Sequence, residues 1–284
     1  MNNQKDWQIK NLEGIRERIS WLHKQPDGVI FYQPSGIHFL TIKKVKFIIQ
    51  LVLVEQVTLA MDWVQSILNL NDPIYLIFPY TQAMMLALLW NNQPKKIYIV
   101  GFGGGSIPQV LHHYFPEVII ECTEVDANIL SIAQKFFGVE LNERLRVKIQ
   151  DGREYLEQKN SQDKYDIIMI DVAFGNGYMS YNLATQEFYQ LCDRHLSKSG
   201  VIVVNTLKSN GFEPEYLKTI NTVFPDIYIC HTGSGNTIII GTRSHPIDKE
   251  EIREQAKSIQ DYHQFSFSLV DRSNDLKVMG ELSI

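Results

Sequence analysis

The sequence predicts an α/β protein: a mostly parallel sheet with an antiparallel last strand, preceded by a small antiparallel β-domain. Three observations carry that expectation. From Lys95 onward, apolar runs of strand length alternate with runs of helix length, the pattern of a sheet covered by helices on both faces. The runs KIYIV, DIIMI and VIVV are short and uniformly apolar, as strands buried on both sides are. Near the end, two β-rich runs flank Gly233-Ser234-Gly235-Asn236, which predicts a hairpin and hence an antiparallel final strand.

The elements follow in order. Residues 1–28 carry the helical stretch QIKNLEGIRERISWLHK. Residues 29–70 are rich in Val, Ile, Phe and Thr with few turn signals, and read as the small β-domain. The most hydrophobic segment, residues 45–61, is interrupted by Gln50, Glu55 and Gln56. It falls short of the roughly 20 apolar residues of a membrane helix and reads as buried strands. Pro73 and Pro79 break the pattern, and TQAMMLALLWNN then predicts an apolar helix over 81–92 with Thr81 as its cap. Residues 71–244 form the expected catalytic domain. Its strands are read over 96–101, 118–124, 145–150, 166–171 and 201–205, and its helices over 108–115, 127–137, 153–158, 186–196 and 214–224. Residues 245–284 hold one charged helix, DKEEIREQAKSIQ, and a tail.

Composition narrows the function. The 284 residues carry 27 Lys plus Arg against 32 Asp plus Glu, a net charge of −5. With no basic stripe, a nucleic-acid partner is not expected. Cys122, Cys192 and Cys230 are few, odd in number and widely spaced, which argues against a disulfide framework or a zinc site. No metal is expected, and a reducing cytoplasm is the expected compartment. The N-terminus MNNQKDWQIK has no apolar signal core, and no membrane partner is expected.

The candidate site lies where strands end. In an open α/β sheet, ligands bind beyond the carboxyl ends of the strands. GFGGGS, residues 101–106, bends there between a strand and a helix with Pro108 in its first turn. Glycines let backbone approach a ligand closely, and a tight turn with no ligand is the alternative reading. Glu124 ends the next strand, 23 positions after Gly101, and is placed to accept hydrogen bonds from ribose hydroxyls. Asp126 reads as a helix cap. Asp151 follows the third strand; it either receives an adenine amino group or caps the helix at Arg153. Asp171 ends DIIMID, where a carboxylate faces the pocket and either positions or deprotonates an amine or is a satisfied structural acid. No Arg or Lys lies within the turn, so a nucleoside without phosphates fits better than a dinucleotide. The adjacent His112 and His113 point about 100° apart on a helix and are read as surface or satisfied residues. Met84 and Met85 read as core, and Tyr178 and Tyr181 as loop residues after Asp171 that either line a pocket or are incidental.

At this point the chain resembles the spermidine synthase family, the polyamine aminopropyltransferases. GFGGGS, TEVD, QDGREYL, YDIIMIDVAFG, LATQEFYQLCDRHLSKSGVIVVN and, upstream, MDWVQS and YTQAM carry the likeness, over roughly residues 30 to 243. The terminal hairpin also resembles the class I S-adenosylmethionine methyltransferase sheet. Together these imply a Rossmann-like, seven-stranded sheet. The resemblance implies that Gly101, Gly103, Gly104 and Glu124, with Val125 beside it, hold the nucleoside of decarboxylated S-adenosylmethionine. It implies that Asp151 and Gly152 bind adenine, that Asp171 helps activate the attacking amine, and that Gln65 and Tyr80 line the pocket. A homodimer is a further analogy.

The sequence also departs from that family. The glycine loop has Gly104 where the family has an Asp that contacts the aminopropyl arm. Phe174 stands where a second acid follows the catalytic one, Tyr80-Thr81-Gln82 replaces Tyr-His-Glu, and CHTGSG replaces a late tyrosine-and-proline segment. The nucleoside half of the pocket is thus present in sequence, while the groups that would grip a diamine are missing. The expected function is a transferase. It would use S-adenosylmethionine, its decarboxylated form or methylthioadenosine, and pass an alkyl group, of aminopropyl type, to a small amine-like acceptor. A small-molecule methyltransferase and a non-catalytic binding protein on the same fold are the alternatives.

Overall fold

The computed structural model describes residues 2–59, 61–172, 179–208, 211–244 and 246–279. A long helix α1 (Asn2–Ile19) opens the chain and a short 3-10 turn, Ser20–Lys24, ends it. Ile15, Ile19 and Leu22 recur at helical spacing and are fully buried, so one stripe of this amphipathic segment joins the core. A four-stranded antiparallel sheet follows: β1 (Gly28–Ser35), β2 (His38–Val45), β3 (Ile48–Glu55) and β4 (Met61–Asn69), in that spatial order.

The expected helix over 81–92 begins earlier and is split. Helix α2 (Pro79–Met84) gives way to a 3-10 turn, Met85–Leu89. Pro79, whose missing N–H costs nothing in a first turn, sets the start. Thr81 is therefore inside the helix rather than its cap, and its hydroxyl donates to the Phe78 carbonyl at 2.7 Å. Met84 and Met85 are core residues with no exposed surface.

Strand and helix then alternate as expected: β5 (Lys96–Val100), α3 (Ser106–Tyr114), β6 (Ile119–Glu124), α4 (Ala127–Phe136), β7 (Leu145–Ile149), α5 (Gly152–Glu157), β8 (Tyr165–Ile170), α6 (Gln186–His195) and β9 (Leu196–Leu207). Helix α7 (Glu213–Asn221) leads to the hairpin of β10 (Asp226–His231) and β11 (Asn236–Thr242). The tail forms α8 (Lys249–His263), α9 (Leu269–Asn274) and β12 (Leu276–Val278). The large sheet runs β12-β10-β11-β9-β8-β5-β6-β7. It has eight strands rather than the expected seven, because Leu276–Val278 returns to pair antiparallel with β10 at the edge. The β5 to β9 pairings are parallel and the hairpin is antiparallel.

The apolar strand runs are explained by what each face covers. Ile97 and Ile99, Ile167 and Met169, and Val201 and Val203 point into one hydrophobic cluster; Tyr98 and Val100, Ile168 and Ile170, and Ile202 and Val204 point into another. The first cluster also takes in Ile15, Ile19, Leu40, Ile42, Leu51 and Leu68, so α1 and the small sheet share the core of the large one. Cys122, Cys192 and Cys230 are buried free thiols. Among the described residues, no helix is long and apolar enough to cross a membrane.

Candidate active site at the carboxyl edge of the sheet

Strands β5, β6, β7 and β8 all end on one edge, and the expected carboxylates gather there. The bend after β5 requires glycine at its first position. Gly101 has φ +92°, and a Cβ on it would lie 2.2 Å from the Asp171 carbonyl oxygen. The chain leaving β5 thus presses on the chain leaving β8, and the Asp171 N–H bonds the Val100 carbonyl at 2.9 Å. Gly103 and Gly104 lie under β4. The Ser66 hydroxyl accepts from the Gly104 N–H at 2.7 Å, and a Cβ at Gly104 would meet Ser66 Cβ at 2.7 Å and the Phe137 ring at 2.8 Å. A side chain at position 104 would therefore require Ser66 and the Phe137 ring to move.

Glu124 faces this turn. Its Oε2 accepts from the Phe102 and Gly103 N–H groups at 3.2 and 3.4 Å, and its Oε1 from the Asp126 N–H at 3.1 Å. Burial pushes its carboxyl above the usual range despite those donors. The turn's N–H groups therefore serve the protein's own carboxylate and Ser66. Beside Glu124, Val125 is 65% exposed, and Ile149, ending the neighbouring strand, is 42% exposed. An apolar shelf thus borders a fixed carboxylate at the sheet edge.

Asp126 is a helix cap, as read: its Oδ1 accepts from the Asn128 N–H at 2.8 Å, while Oδ2 accepts from the Ser35 hydroxyl at the end of β1. Asp151 also caps, with Oδ1 accepting from the Arg153 and Glu154 N–H groups at 2.9 and 3.1 Å. Its Oδ2 is left to the Asn182 amide at 3.2 Å. Gly152 is a packing glycine: a Cβ there would lie 2.3 Å from Val100 Cγ1, and its carbonyl accepts from the Tyr98 hydroxyl at 2.9 Å.

Asp171 and Tyr80 meet. The Tyr80 hydroxyl, carried by α2, lies close enough to the Asp171 carboxylate for each to shift the other's titration. The Asn205 amide, on β9, donates to Asp171 Oδ1 at 2.8 Å. Burial outweighs both donors and pushes the Asp171 carboxyl up to about 6; burial and the neighbouring carboxylate together hold the Tyr80 phenol well above its ordinary value. A carboxylate poised near neutrality, flanked by a phenol, is suited to orient an amine and take its proton.

Gln65 sits differently. The pairing of β3 and β4 slips between Leu51 and Val52, which makes Gln65 the extra residue of a β-bulge. Its neighbour Ser66, rather than Gln65, reaches the glycine turn. Phe174 and Tyr178 lie outside the described residues, and Tyr181 is 86% exposed. His112 and His113 are buried and satisfied. His113 Nδ1 is 3.0 Å from Asn11 Oδ1, His112 Nε2 is 3.2 Å from Asn142 Nδ2, and desolvation pushes both rings down to about 4. Sequence reasoning missed Ser66, Asn182 and Asn205. Only Asn205, the polar residue that closes the apolar run VIVV, carried a signal that could have found it.

The spermine/spermidine synthase domain matches residues 77–231. The chain belongs to that family. It is 31% identical over 185 residues to the polyamine aminopropyltransferase of Vibrio vulnificus, a match covering 64% of this chain and 62% of that one. It is also 29% identical over 209 residues to the human eEF1A lysine and N-terminal methyltransferase, covering 66% of this chain and 30% of that one. The chain thus spans less than two thirds of the length of either relative. Among solved structures, human methyltransferase-like protein 13 in complex with SAH superposes with a TM-score of 0.61 at 26% identity, over 66% of this chain and 92% of that one. A spermidine synthase in complex with the transition state analogue AdoDATO gives 0.61 at 23% identity, over 85% and 79%, a likeness of fold. These relatives are transferases, and their shared architecture is the α/β fold with a small antiparallel sheet described above.

Proposed function

We propose that this protein is a transferase that seats an S-adenosylmethionine-type nucleoside at the carboxyl edge of the large sheet and passes an alkyl group to an amine. The observation that carries the reading is the meeting of Asp171 and Tyr80 beside the glycine turn that Glu124 faces. Glu124 is placed for a ribose, Val125 and Ile149 for one face of a base, and the free side of Asp151 Oδ2 for an exocyclic amino group. Asp171 and Tyr80 orient the acceptor nitrogen in line with the carbon to be transferred. As the new C–N bond forms, the C–S bond breaks and its electron pair stays on sulfur. Asp171 takes the proton that nitrogen gives up. Positioning and water exclusion supply most of the rate, since a sulfonium already leaves readily.

The enclosed Gly104 favours methyl transfer as a second reading. An aminopropyl ammonium finds no carboxylate at that position, and a buried ammonium without one costs several kcal/mol. Calorimetry with S-adenosylmethionine, its decarboxylated form, S-adenosylhomocysteine and methylthioadenosine tests the proposal. Micromolar binding of at least one, weakened about tenfold in Glu124→Gln, is expected. Mass analysis of products with putrescine and lysine peptides as acceptors then separates aminopropyl from methyl transfer. No heat with any of the four nucleosides would remove the transferase reading.

A further inference from the structure

Asp171 is tethered on one side by an amide, and an amide has two unlike faces. Asn205 offers an oxygen that only accepts and an NH2 that only donates. An ionised carboxylate only accepts, so Asn205 supports it in one of its two orientations. What selects that orientation lies one strand further out. In the β9–β11 ladder Asn205 stands opposite Ile238, with Asn236 two residues along, on the diagonal. The Asn236 NH2 donates to Asn205 Oδ1 at 3.0 Å, and the Asn205 NH2 donates to Asp171 Oδ1 at 2.8 Å. Turning the Asn205 amide over would set NH2 against NH2 on one side and oxygen against carboxylate on the other, losing both bonds. Asn205 is only 8% exposed, so water is poorly placed to compensate.

The Asn236 backbone is held firmly: its main-chain carbonyl accepts from both the N–H and the hydroxyl of Thr232, each at 3.0 Å. The following Thr237 is tied by its hydroxyl to Glu213 at 2.7 Å and to His231 Nδ1 at 3.0 Å. From the other elements around Asp171, α2 contributes the Tyr80 hydroxyl and the glycine turn contributes the backbone at Gly101. Among the described residues, Tyr80 is the titratable group that bears on this carboxylate.

We infer that Asn205 and Asn236 are positioning residues: Asn236 locks the Asn205 amide with its donor toward Asp171, and the hairpin thereby sets how readily that carboxylate takes a proton. The consequence for catalysis rests on the transferase reading; the relay itself does not.

The test is a carboxyl ¹³C NMR titration of the full chain, which needs neither donor nor acceptor. Asn205→Ala is expected to raise the Asp171 midpoint by about one pH unit, the effect of losing one charge-assisted donor. Asn236→Ala, which touches Asp171 nowhere, is expected to raise it by part of that amount, and to add nothing in the Asn205→Ala background. A hairpin tether without this role would lower the melting temperature and leave the midpoint where it was. An unmoved midpoint in folded Asn205→Ala, or an equal Asn236→Ala shift with and without Asn205, overturns the inference. Should Asn205→Ala not fold, Asn236→Ala decides alone: a raised midpoint supports the relay and an unmoved one ends it. Absence of nucleoside binding would sink the transferase reading and leave this titration intact.

Discussion

A side chain at position 104 has nowhere to go, and that makes the departure from the family loop a matter of packing. Gly104→Asp would force Ser66 and the Phe137 ring apart from contacts of 2.7 and 2.8 Å. Overpacking of this kind costs about 1–3 kcal/mol, and an enclosed carboxylate adds to it. The variant is therefore expected to melt several degrees lower and not to gain putrescine turnover, as a thermal scan and a product assay will show. Asp171 makes a second residue-scale prediction. Burial pushes its folded carboxyl up to about 6 from the ordinary 3.8, so the stability it contributes is full below about 3.8 and is lost as pH rises through 6. Relative to Asp171→Asn, the wild type should lose on the order of 2 kcal/mol between pH 4 and pH 7. Urea melts across that range check this, and a flat difference would contradict it. Glu124, Asp126, Asp151 and Asp171 were legible because a carboxylate after a strand has few roles. Ser66 and Asn182 were not, because their meaning comes from partners 38 and 31 positions away that only the fold brings near.

At the scale of elements, periodicity and punctuation found every helix and strand of the alternating region, since a buried strand must be apolar and a βα turn must bend. What escaped was irregular or short. The bulge that displaces Gln65 leaves no mark in MDWVQSILN, because a bulge changes pairing and not composition. The turn of 3-10 after α2 escaped because a fully buried segment has no polar face to give its period. The last strand, three residues long, is too brief to read. It nonetheless covers the edge of β10, pairing Tyr228, Ile229 and Cys230 with Val278, Lys277 and Leu276. Truncation after Asp275 should leave β10 as an open edge flanked by buried apolar residues. The expected outcome is a lower melting temperature together with concentration-dependent association in light scattering. A shortened chain that stays monodisperse at high concentration would show that β12 is dispensable.

At the scale of the molecule, the two sheets are joined at the candidate site itself. The hydroxyl of Ser66 on the small sheet accepts from the Gly104 N–H of the large sheet's turn, and Ser35 reaches Asp126 from β1. Leu40, Ile42, Leu51 and Leu68 meanwhile share a cluster with Ile97, Ile99 and Ile120. Apolar contact alone would bind the sheets without fixing where one sits on the other, because hydrophobic burial is non-directional. The Ser66 bond supplies direction, and it does so at a buried N–H that has no other use. Ser66→Ala keeps the volume and removes the acceptor, leaving that N–H unpaired at a cost of about 1–3 kcal/mol. The loss should appear in urea melts as a lower midpoint with an unchanged slope, since the surface exposed on unfolding stays the same. It should also weaken whatever nucleoside the calorimetry identifies, because Gly103 and Gly104 then lose the contact that sets the turn against Glu124. A variant as stable as the wild type and equal to it in nucleoside affinity would mean that the small sheet is a cover, held by apolar contact, with no part in shaping the turn.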